Sequence, residues 1–167
     1  IIIMGTSYNP RIVTDGLVFC VDAANKRSYP GAGTTWTDLT TNKNNGTFQN
    51  MTSSSFNADN AGSLTFDGSN DYIDCGPTND IIGNNPAAIS LSAWFKTDNN
   101  TQSFYIASLK RLSSFSTLVS ITVNQANINN FGANYLGFLY DVGDSGGDNG
   151  SGHKWLTVNN STFYGKW

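Results

Sequence analysis

The sequence predicts an all-β fold, and three observations carry that expectation. All twelve acidic residues are Asp, with no Glu in the chain; Glu favours helix interiors, whereas Asp favours turns. Short runs of β-branched and aromatic residues recur between clusters of Gly, Asn, Ser and Thr at fairly regular spacing. No window carries an apolar period of 3.6 residues over ten positions. Such a pattern fits an antiparallel two-sheet sandwich or jelly roll.

Taken in order, residues 1–10 read as an extended N-terminal arm, because Asn9-Pro10 discourages helix at the junction. The apolar tip Ile1–Ile3 would pack on its own domain or on a neighbouring subunit. Residues 11–167 read as one domain, with no repeat and no linker. Gly16–Ala23 is a continuous apolar run, expected as a strand buried on both faces. Asn25–Thr35 is a loop punctuated by Tyr29-Pro30-Gly31, and the irregular spacing of Trp36, Leu39 and Phe48 suggests a packed excursion. Asn44-Asn45-Gly46 is a turn before a short strand over Thr47–Met51.

The stretch Ser63–Gly76 is the centre of the pattern. Two β-prone runs, Ser63–Phe66 and Asp71–Cys75, flank the turn-forming residues Asp67-Gly68-Ser69-Asn70, which predicts a hairpin or a sharp corner. Leu64, Phe66, Tyr72 and Cys75 are its expected buried groups, and Asp67 and Asp71 its expected turn-capping carboxylates. Ala88–Lys96 then alternates, with Ile89, Leu91, Ala93 and Phe95 on one face and Ser90, Ser92, Trp94 and Lys96 on the other. Further strands are expected over Phe104–Leu109, Thr117–Val123, Tyr135–Val142 and Lys154–Val158.

Charged residues make up only 13% of the chain, about half the usual quarter. A net charge of −3 and an acidic isoelectric point near 4.7 argue against a nucleic-acid partner or an anionic membrane, both of which call for a basic face. No stretch approaches the ~18 consecutive apolar residues of a membrane span, so membrane insertion is not expected. Cys20 and Cys75 are far apart and in no metal-ligand spacing. Two half-buried thiols are preferred over a bridge, since a domain of this size has a core without a staple.

The order of the pieces resembles the laminin-G-like, concanavalin A-like jelly-roll domains of bacteriophage virion proteins. The residues that carry the resemblance are Asp15–Asn25, Ser28-Tyr29-Pro30-Gly31, Thr35-Trp36-Thr37-Asp38-Leu39, Asn44-Asn45-Gly46-Thr47-Phe48, Phe66–Ile73 and Ile89–Phe95. It covers most of Arg11–Phe95 closely and the rest loosely. No single motif among them is diagnostic; their order and spacing are the signal. The opening Ser7–Gly16 is most similar to structural proteins of tailed phages. The resemblance implies a capsid or tail module in the virion, assembled in the bacterial cytoplasm, with other virion proteins as partners and a homo-oligomeric state. It also implies a further block of strands after the last Trp, so that the sandwich is expected to lack its C-terminal strands in this chain.

The same fold class includes glycoside hydrolases, and the resemblance implies that these use paired Glu residues. Hydrolysis of a glycoside needs two carboxylates at a set separation, one with a raised pKa. This chain has no Glu, and Asp71/Asp74 and Asp141/Asp144 have odd separations that place them on opposite faces of a strand. No catalytic residue is therefore assigned, and the expected protein is not an enzyme. His153, the only histidine, sits in a Gly/Ser-rich stretch and reads as a loop residue.

Asp141, Asp144 and Asp148 lie in one Gly-rich stretch and are the candidate ligands for Ca²⁺, the one cofactor the sequence suggests. Their spacing is not that of an EF-hand, and an acidic solvated loop is the favoured alternative. Trp94, Trp155 and Tyr29 are the candidate sugar-contacting aromatics of a lectin-like adhesin, the second functional reading, with host-surface glycans as ligands; core packing is the competing role for each. Asn-x-Ser/Thr matches at Asn45, Asn50, Asn99, Asn159 and Asn160 are expected by chance in a chain so rich in these residues.

Overall fold

The computed structural model describes residues 13–83, 88–97, 104–110, 117–123, 135–141 and 153–159. They form antiparallel sheets with almost no helix. The chain divides into two compact units, residues 1–66 with 71–75, and residues 67–70 with 76–167.

Among the described residues the first unit has five short strands: β1 (Thr35–Trp36), β2 (Gly46–Gln49), β3 (Phe56–Asn57), β4 (Ser63–Leu64) and β5 (Tyr72–Asp74). β1, β2 and β5 make one antiparallel sheet with β2 in the middle, and β3 pairs with β4. The alternation of β2 buries Gly46 and Phe48 and exposes Thr47. β2 is shorter than the sequence suggests because Asn50 takes a left-handed conformation (φ 63°) and turns the chain out of the ladder.

Phe48, Tyr29 and Met51 form the core, with Trp36, Phe56, Leu64 and Ile73 packed against them. The Tyr29 ring stacks on Phe48 at 5.3 Å between centroids and lies tilted against Phe56 at the same distance. Such aromatic pairs contribute about 0.5–1.5 kcal/mol beyond the area they bury.

The run after Gly16 corrects an expectation. It forms no strand, and Leu17, Phe19, Cys20 and Val21 are only half-buried. The reason is chemical. The Leu39 amide donates to the Cys20 carbonyl, but the Cys20 amide donates to the Asp38 carboxylate instead of a backbone carbonyl. The Asp22 amide likewise donates to the Ser28 hydroxyl. Side chains take the amides that a ladder would use, so a regular strand pair does not form.

The central stretch is a corner and not a hairpin, because its two arms join different sheets: β4 pairs with β3 and β5 with β2. Asp67 caps the turn as expected, its Oδ1 accepting from the amides of Ser69 (2.8 Å) and Asn70 (3.3 Å). Its burial differs from the sequence reading. Phe66 and Tyr72 are 47% and 53% exposed, and Ile73 takes the core position. The register decides this, since Ile73 lies opposite the buried Phe48 and a period of two then turns Tyr72 outward.

The second unit contains a five-residue helix α1 (Thr78–Ile82), whose Ile81 is buried. Residues 88–97 do not form the strand that their alternation predicts. The burial still follows parity for most of the run: Ile89, Leu91 and Phe95 are half-buried, and Ser90, Ser92, Trp94 and Lys96 are exposed, with Ala93 the exception. The pattern describes faces correctly, but a strand also requires a neighbour in hydrogen-bonding register.

Four strands lie among the described residues of this unit: β6 (Phe104–Lys110), β7 (Thr117–Val123), β8 (Tyr135–Asp141) and β9 (His153–Asn159). They are the four runs read from the sequence, within a residue or so at each end. Each pairs antiparallel with the next in chain order, a meander. β7 is interior, and both of its faces are covered: Val119 and Val123 are buried on one, Ser120 and Thr122 on the other. His153 is not in a loop, because the β8–β9 ladder runs out to an Asp141–His153 pair.

Candidate functional site

The most organised polar constellation of the first unit is built around Asp38. This carboxylate is 0% exposed. Its Oδ1 accepts from the backbone amides of Cys20 and Thr40, both at 3.0 Å. Its Oδ2 accepts from the Thr40 hydroxyl at 2.7 Å and the Asn44 amide at 3.0 Å. The Asp38 amide donates to Asn45 Oδ1, so the residue ties together three pieces of backbone that share no ladder. Burial pushes the carboxyl pKa up, but the donors of Thr40, Cys20 and Asn44 outweigh it and hold the group below its ordinary value. A buried anion with all its near lone pairs taken is a structural tie; it has no free oxygen to offer a substrate.

Ser28 makes a second tie of the same kind. It is fully buried, its hydroxyl donates to the Thr37 carbonyl at 2.6 Å and accepts from the Asp22 amide at 3.0 Å. Asn25 sets the approach, its carbonyl accepting from the amides of Ser28 and Tyr29. Asp38 and Ser28 stand in the sequence only as members of motifs. The local signal for Asp38 is the Asp-x-Thr spacing, which permits an Asx turn; that its carboxylate also reaches a residue eighteen positions earlier is a tertiary fact.

Of the candidate ligand-binding aromatics, Tyr29 is in the core. Its side chain is 1% exposed and its hydroxyl donates to the Gly33 carbonyl at 2.9 Å, so no ring face is open to a ligand. Trp94 is the opposite case, 90% exposed on segment 88–97. Trp155 lies within β9, in register with Leu139 of β8. Of the candidate Ca²⁺ ligands, Asp141 is the last residue of β8, and Asp144 and Asp148 lie outside the described residues. Among the described residues, no group of three or more His, Cys or Asp side chains is placed to hold a metal ion.

Cys20 and Cys75 are both free and half-buried. The segment carrying Cys20 is bonded to the chain just after β1, whereas Cys75 follows β5. β2 lies between β1 and β5 in that sheet. Burial, with the nearby carboxylates of Asp74 and then Asp38, pushes the Cys75 thiol up to about 11. Cys20 is raised in the same direction by burial and by Asp22 and Asp38. Both are therefore protonated at neutral pH, the less nucleophilic form.

No protein-family model, curated protein or solved structure matches this chain. In the first unit Asp38 and Ser28 are buried and hold backbone to backbone. Among the described residues of the second, Trp94 is the most exposed aromatic, at 90%.

Proposed function

We propose that this chain is a non-enzymatic structural module of a phage particle, a jelly-roll sandwich displayed on the capsid or tail and partnered by other virion proteins. One observation supports this reading above the others. Four of the motifs that carry the virion-protein resemblance supply buried or half-buried groups of the first unit: Ser28 and Tyr29, Trp36 and Asp38, Phe48, and Ile73. These residues supply ring packing and internal hydrogen bonds, which is what a scaffold asks of its recurrent positions. A charge-poor, turn-rich β domain of this kind can vary its loops without disturbing its core.

The test is location. An antibody against the chain, applied to purified tailed-phage particles from a host that makes it, should label a fixed, symmetric set of sites on the particle. Absence from purified particles, with the protein free in the lysate, would overturn the proposal.

The second reading is a lectin-like domain of a phage fibre or bacterial surface protein, and the exposure of Trp94 is what favours it. A flat indole standing in water is a platform on which a sugar ring can stack. On a glycan array, this reading expects binding that Trp94→Ala abolishes while the folded state is unchanged. If no glycan is bound above background, the lectin reading falls.

A further inference from the structure

We draw no further inference here: the strongest candidate, the strand-patterned segment 88–97 with Trp94 on its exposed face and Ile89, Leu91 and Phe95 half-buried, forms no strand among the described residues, and nothing in the structure shows what covers it.

Discussion

Replacing Asp38 by Asn changes few atoms and should cost the first unit much of its stability. The amide keeps one acceptor oxygen, which can hold the Cys20 and Thr40 amides. The other position becomes an N–H donor facing the Asn44 amide, also a donor, at what was a 3.0 Å hydrogen bond. Hydrogen bonds to a charged group contribute about 1.5–3 kcal/mol each, and a buried donor left without its acceptor costs about 1–3 kcal/mol. With the remaining bonds weakened by loss of charge, the expected destabilisation is about 2–4 kcal/mol. At a urea dependence of about 1–2 kcal/mol per molar, the unfolding midpoint should fall by about 2 M. Hydrogen exchange gives the local readout: the Asn44 amide should exchange about 30- to 1000-fold faster, since each 1.4 kcal/mol is a factor of about ten.

The pH dependence has a definite sign. The folded carboxyl pKa is lowered, so its contribution is present above the unfolded value of about 3.9 and is lost as pH falls through the folded value. The gap between wild type and Asp38→Asn should therefore be full at about pH 7 and shrink below about pH 4. A midpoint shift under about 0.3 M at neutral pH, or a gap that stays constant into acid, would refute the reasoning; that threshold is roughly the resolution of the method.

Four further outcomes are expected. Gly46→Ala would put a Cβ 2.6 Å from Ile73 Cγ2 and 3.3 Å from Cys75 Sγ, an overpacking expected to cost about 1–3 kcal/mol in urea unfolding. Gly16→Ala, with nothing near its Cβ position, is strained only by its φ of 72° and should cost about 1 kcal/mol, so equal losses at the two sites would count against the packing at Gly46. Ser120→Ala removes a fully buried hydroxyl without a protein partner, and thermal unfolding should show no loss or a gain of up to about 1 kcal/mol; a loss above that would mean the hydroxyl holds a bond. Cys75, pushed up to about 11, should alkylate much more slowly than free cysteine at about pH 8 in the native protein and become reactive on unfolding; rapid native modification of Cys75 would contradict its burial.

The sequence by itself determined the class of structure and most strand positions in its second half. Thr117–Val123 and its neighbours are legible because β-branched and aromatic runs between turn residues satisfy a local preference, and antiparallel hairpins pair with what comes next in the chain. The Asp67 turn was legible for the same reason, since its bonds reach only two and three residues ahead. What tertiary structure decided is everything that depends on a distant partner. Alternation at Ile89–Phe95 assigns faces but cannot supply a neighbouring strand. The apolar run after Gly16 looks like a strand until Asp38 takes the Cys20 amide. At Ser63–Gly76, composition allowed a hairpin or a corner, and only the pairing of β5 with β2 chose the corner and turned Ile73, not Tyr72, toward the core. Asp38 shows the limit most clearly. Its type and spacing announce a turn, while its role as a buried tie depends on donors from Cys20, Thr40 and Asn44, one of them eighteen residues away, meeting at one carboxylate.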